Sequence, residues 1–141
     1  MVIAAPYDLE AYQYDTVSAF MNSSLNELIY IECPDGFKEK NICLHFLQAL
    51  YGLRQSPLLW LQDFTSTLSK LGLWQINEEF CLFMSNELIL FFYIDDIVVL
   101  FKKEHRKMFE KFIGKLMEHY ELRDIGELSW FLGIRVIRDR A

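Results

Sequence analysis

The sequence predicts an α+β fold, a sheet with two amphipathic helices on one face. Three observations carry that reading. Apolar runs of strand length recur between turn signals, and two longer stretches repeat apolar residues at three- and four-residue spacing. No Pro/Gly/Ser-rich linker or internal repeat divides the 141 residues, so the chain reads as one unit. A chain of this size buries roughly two-thirds of its unfolded surface. With 52% hydrophobic and 24% charged residues, and a mean hydropathy of +0.11, disorder and collagen-like repeats are excluded.

Element by element, the first ten residues read as irregular and Ala11 to Val17 as a short strand. Glu27 to Glu32 and Ile42 to Leu47 are apolar, strand-like runs separated by the turn signal Cys33-Pro34-Asp35-Gly36. Ser56 suits a helix N-cap and Pro57 the first helical position. Trp60, Leu61, Phe64, Leu68 and Leu71 then keep helical spacing until Gly72. Phe80 to Met84, a Ser85-Asn86 turn and Leu88 to Ile94 follow as strands. Asp95-Asp96 interrupts, and Ile97 to Phe101 resumes the strand pattern. A second helix from about Glu104 to Tyr120 places Phe109, Phe112, Ile113, Leu116 and Tyr120 on one face. Trp130 to Ile137 reads as a last strand.

Charge and cysteine usage narrow the function classes. A net charge of −6 argues against a self-sufficient nucleic-acid binder, which usually shows a basic footprint. The basic residues cluster in Lys102-Lys103, Arg106-Lys107 and Arg135, Arg138 and Arg140, and read first as a solvated helix face and tail. Three cysteines in no metal-binding spacing suit reduced thiols in an intracellular protein. The start lacks a signal-peptide pattern, and the apolar stretch Leu88 to Phe101 is too short to span a bilayer.

The most informative stretch is Phe91 to Leu100, where Asp95 and Asp96 sit between two β-forming apolar runs. A turn is the ordinary explanation for adjacent aspartates. The flanks, however, are too apolar for an exposed hairpin tip, and carboxylates at the ends of buried strands are what Mg²⁺ needs. Asp15, at the end of the first strand, is a second carboxylate source. If its strand neighbours the hairpin, Asp15 and Asp95 could jointly hold two metals about 4 Å apart.

These residues resemble a known family. Tyr93-Ile94-Asp95-Asp96 matches the YxDD box of reverse transcriptases, and the surroundings look like the copia-type class of LTR retrotransposon polyproteins. Asp15-Thr16-Val17-Ser18-Ala19-Phe20-Met21-Asn22 resembles that family's first catalytic motif. Leu50-Tyr51-Gly52-Leu53-Arg54-Gln55-Ser56-Pro57, with Trp60, resembles its LYGLKQSP segment. Asp124-Ile125-Gly126-Glu127-Leu128 and Phe131-Leu132-Gly133-Ile134 resemble its closing motif. The blocks stand in family order from about Tyr12 to Arg138; departures include Ser23 for a usual Gly, Leu58 for a frequent basic residue and Glu79 for an Asp.

The resemblance implies a reverse-transcriptase palm: a ferredoxin-like antiparallel sheet with helices packed on one face. By the same token Asp15, Asp95 and Asp96 would be the catalytic, metal-binding carboxylates for Mg²⁺ or Mn²⁺. Thr16 could add a carbonyl ligand, and the amides from Val17 through Ser18 to Ala19 could face the triphosphate. Phe20 would exclude a ribose 2′-hydroxyl, or else be a core ring. Tyr93 would lie under the primer terminus, while Gln55 would support the template and incoming base. Phe131-Leu132-Gly133 would form the primer-grip turn.

The implied reaction is nucleotidyl transfer, RNA-directed DNA polymerisation on a template-primer with dNTP. Residues 1–141 would then be a partial reverse-transcriptase domain, with fingers truncated and thumb and ribonuclease H segments elsewhere in the polyprotein. An inactive retrotransposon remnant is the alternative. A nucleotide cyclase on the same palm would call for a GG[DE]EF-like turn, which this sequence does not contain.

Overall fold

The computed structural model describes residues 7–37 and 42–138. In chain order these form β1 (Glu10–Thr16), a 3-10 turn (Ala19–Asn22), β2 (Ser24–Glu32), β3 (Cys43–Gln48) and α1 (Ser56–Lys70). Next come β4 (Trp74–Ile76), β5 (Glu79–Met84), β6 (Leu88–Tyr93), β7 (Asp96–Phe101) and a second 3-10 turn (Lys103–His105). Then follow α2 (Arg106–Met117), β8 (Leu122–Glu127), β9 (Trp130–Phe131) and β10 (Ile134–Arg135). Two compact units make up the described residues. Ser18–Asp63 is one compact unit; the residues before it and those from Phe64 onward are another.

The smaller unit is built on the β2–β3 hairpin, antiparallel with Glu32 opposite Cys43 and Ile29 opposite Phe46. Ser56 departs from expectation here. Its hydroxyl donates to the Leu50 carbonyl at 2.6 Å and accepts from the Leu50 N–H at 3.2 Å. Leu59 N–H bonds the carbonyl of Gln55 at 3.0 Å, so Gln55 is the residue that opens the helix. Ser56, fully buried, ties the preceding loop instead.

The larger unit holds an antiparallel sheet in the order β4-β5-β6-β7-β1-β8. Ile97 through Phe101 are all buried, because β7 is covered on both faces; that is why the run reads as continuously apolar. Period-two alternation sends Tyr12, Tyr14, Phe92 and Phe101 to one face. There Phe109 of α2 stacks on Phe101 with centroids 4.2 Å apart, and Phe64 of α1 meets Phe92 edge-on at 4.7 Å. Both helices thus cover this face, as the sequence predicts. Tyr120, also buried, shares a 2.8 Å hydrogen bond between its hydroxyl and that of Thr67.

The opposite face carries a second core of Leu9, Val98, Leu100 and Leu128, packed by Phe91, Phe131 and Val136. The expected strand Trp130 to Ile137 is in fact a hairpin, β9 paired with β10 around Leu132 and Gly133. Both turn residues have positive φ, 48° and 76°, which a continuous strand could not accommodate. Strand β8, polar along most of its length, escapes the alternation test altogether; it forms by pairing with β1. The basic residues near α2 are exposed, and Arg106 pairs with Glu110 at 3.2 Å, as a solvated face should. No helix among the described residues is long and apolar enough to cross a membrane.

Candidate active site

The larger unit brings the predicted carboxylates together through strand register. Tyr93 is opposite Asp96, Asp96 is opposite Asp15, and Asp15 is opposite Arg123. Tyr93, Asp96, Asp15 and Arg123 therefore form a transverse row over four adjacent strands, about 14 Å across at the usual strand spacing. The row lies on the face away from the helices, since Asp15 shares parity with Ala11 and Asp96 with Val98 and Leu100.

Two carboxylates directly opposite each other repel, and such a pair persists only where its neighbours compensate. Gln13, two residues before Asp15 on the same face, donates its side-chain amide to Asp96 Oδ1 at 3.1 Å. Arg123 Nη1 lies 3.7 Å from Asp15 Oδ2. The Asp15 side chain is 33% exposed and that of Arg123 69%, so the pair meets solvent. Neither Gln13 nor Arg123 stands out in the sequence as a site residue. Period two could have marked Gln13; nothing local could have marked Arg123, because no signal announces that β8 pairs with β1.

The turn falls one residue earlier than one centred on Asp95-Asp96 would. The turn is Ile94-Asp95, and Asp96 is already the first residue of β7. Ile94 has a φ of 55°, a region that a β-branched side chain enters only under strain. The Asp95 carbonyl accepts the Thr16 N–H at 2.7 Å, which fastens the hairpin tip to the end of β1. Thr16 is buried, and its hydroxyl has no hydrogen-bond partner. Tyr93, at one end of the row, is 54% exposed.

The Val17 amide is not available to an anion in this arrangement, because it donates to the Glu121 carbonyl at 2.9 Å. Ser18, Ala19, Phe20 and Gln55 belong to the smaller unit. Ser18 takes the left-handed conformation, φ 51°, just before the 3-10 turn. Ala19 and Phe20 are buried, and the Phe20 ring packs on Tyr51 with centroids 4.3 Å apart. Gln55 lines an open cavity of about 400 Å³ with Ile29, Leu53, Arg54 and Leu58, and its amide nitrogen is buried without a partner.

The donor set fits a hard divalent cation. Asp15 and Asp96 offer only oxygen and are fixed by the sheet's register, with Asp95 on the adjoining turn. Among the described residues no three acidic, histidine or cysteine side chains converge into a ready cage. Mg²⁺ in general keeps several waters and takes one or two carboxylates together with substrate phosphates.

Comparison with known proteins agrees with this geometry. Residues 1–141 match the family described as reverse transcriptase (RNA-dependent DNA polymerase). The chain is 30% identical, over 98% of its length, to the retrovirus-related Pol polyprotein from transposon TNT 1-94 of Nicotiana tabacum. It is 30% identical over 86% of its length to the putative transposon Ty5-1 protein of Saccharomyces cerevisiae. Against the Pol polyprotein from transposon RE1 of Arabidopsis thaliana it is 27% identical over 89%. The chain spans 11%, 41% and 9% of those three proteins, respectively. By the family match over its whole length, this chain belongs to the reverse transcriptases.

Proposed function

We propose that the chain is the palm of an RNA-directed DNA polymerase from a copia-type retrotransposon, transferring dNMP to a primer 3′-hydroxyl. The observation that carries the reading is the register that sets Asp15 opposite Asp96 while the Asp95 turn is hydrogen-bonded to Thr16. The order β6-β7-β1-β8, with α1 reached from β1 through the β2–β3 hairpin and α2 lying between β7 and β8 in the chain, supports a ferredoxin-like palm. Two bound Mg²⁺ or Mn²⁺ ions would lower the pKa of the attacking hydroxyl and neutralise the triphosphate.

The remaining work falls to the chain's own side chains. Asp15 and Asp95 would hold the cations, and Asp96 would be the supporting acid. Gln13 keeps the Asp96 carboxylate oriented by its hydrogen bond. Tyr93, exposed at the end of the row, offers its ring beneath the primer terminus. Ser18 and Ala19 supply backbone amides to the triphosphate, and Phe20 limits space at the sugar. Gln55, with its unpartnered amide at a cavity, supports the template strand or incoming base. The partners are a template-primer and the fingers, thumb and ribonuclease H parts of a Pol polyprotein. The free thiols of Cys33, Cys43 and Cys81 suit an intracellular setting.

Primer extension on an RNA template with Mg²⁺ or Mn²⁺ tests the reading, in this chain and in a longer Pol segment carrying it. Incorporation should occur with the native sequence and vanish in Asp95→Asn. Incorporation undiminished by that substitution would overturn the assignment. A folded chain that never incorporates, even in the longer segment, would favour the inactive remnant.

A further inference from the structure

Arg123 is unused by the mechanism above, yet it is the cation that faces Asp15. It arrives by register from the edge strand β8, and its guanidinium stands 3.7 Å from Asp15 Oδ2. On the other side Asp15 faces Asp96, which already receives the Gln13 amide. Of these neighbours, only Arg123 brings a positive charge to the paired carboxylates. A guanidinium this exposed is held loosely, and its approach to Asp15 is longer than a tight charge-assisted hydrogen bond.

We propose that Arg123 is the resident counter-ion of Asp15, a placeholder that a divalent cation displaces on loading. The inference rests on the proposed metal role of Asp15. In the metal-free protein the guanidinium relieves the repulsion between Asp15 and Asp96. A divalent ion offers twice the charge, so it takes over Asp15 while the long Arg123 side chain swings into solvent. Arg123 is thus a positioning residue that sets a threshold for loading: it holds Asp15 ready and competes with the ion for the same oxygen. Because the competitor is an exposed charge, its effect weakens as salt screens it.

Mn²⁺ binding to the full chain, without nucleotide or primer, tests this by electron paramagnetic resonance of the free ion. Arg123→Gln should tighten binding by roughly three- to tenfold at low ionic strength, with the gain shrinking at high salt. Arg123→Lys, which keeps a cation in reach, should stay near the native affinity, and circular dichroism verifies the fold of each variant. Asp15→Asn should weaken binding and erase the difference between the Arg123 variants. If Asp15→Asn weakens binding but Arg123→Gln leaves it unchanged or weaker, the placeholder is wrong and the metal site stands. If Asp15→Asn leaves binding untouched, the metal role of Asp15 fails and the placeholder fails with it.

Discussion

Gln13 and Asp96 are joined across β1 and β7 by a 3.1 Å hydrogen bond, though 83 residues separate them in the chain. The amide donates to a carboxylate whose cross-strand neighbour is also a carboxylate. Replacing Gln13 by Glu would set a third negative charge where the donor stood. Stability in EDTA should fall by about 1.5–3 kcal/mol, the range for losing a hydrogen bond to a charged group. Urea denaturation measures the loss, and added Mn²⁺ should recover part of it.

Ile94 occupies the left-handed region at φ 55°, where glycine carries no penalty. Relief of that strain outweighs the packing of a half-buried side chain at a turn, so Ile94→Gly should stabilise the hairpin by about 1 kcal/mol. A higher urea midpoint with an unchanged denaturant slope would bear this out.

The two helices are held to the sheet by few but large rings. Phe64 is fully buried and touches both Phe92, at 4.7 Å, and Tyr120, at 5.4 Å. Phe64→Ala should cost about 3–5 kcal/mol, as aromatic truncations in packed cores do. Tyr120→Phe, which removes the bond to Thr67, should cost about 1 kcal/mol. Equal losses from the two would contradict this division between packing and hydrogen bonding.

Tyr14 gives the fold an alkaline limit. Burial, and then the nearby charge of Asp124, push its pKa from 10.0 to about 12. The folded state thus holds the proton more tightly than the unfolded one. The resulting stability is fully present below pH 10 and is lost as pH rises from there through about 12, a loss of about 2 kcal/mol. Denaturation between pH 9 and about 12 should show this slope, and Tyr14→Phe should flatten it.

Much of this arrangement was legible in the sequence because it rests on local pattern. The two amphipathic helices show a 3.6-residue period, and β6 and β7 appear as apolar runs around Asp95. The helical face of Phe109, Phe112, Ile113 and Leu116 is buried as the spacing predicts. What escaped depends on pairing between distant segments. β8 carries Arg123, Asp124 and Glu127, so neither alternation nor β-propensity marks it. The role of Ser56 escaped for a related reason: its hydroxyl serves Leu50, and a capping rule considers only the helix ahead. The residues alone joined Asp15 and Asp95, 80 positions apart, only on the condition that their strands are neighbours; resemblance then implied their role as metal ligands.

The row of four side chains shares a sheet face with Val98 and Leu100 of β7, which cluster with Leu9 and Leu128 just beyond the ends of β1 and β8. From Asp96 to Leu100 is about 13 Å of strand. Chemistry and adhesion are therefore indexed on one ratchet. A single-residue insertion early in β1 would turn Asp15 toward the helices and swing its aromatic neighbours outward. Unless a bulge absorbs it, such a slip moves the core along with the carboxylate, so folding of β1 against β7 also aligns Asp15 with Asp96.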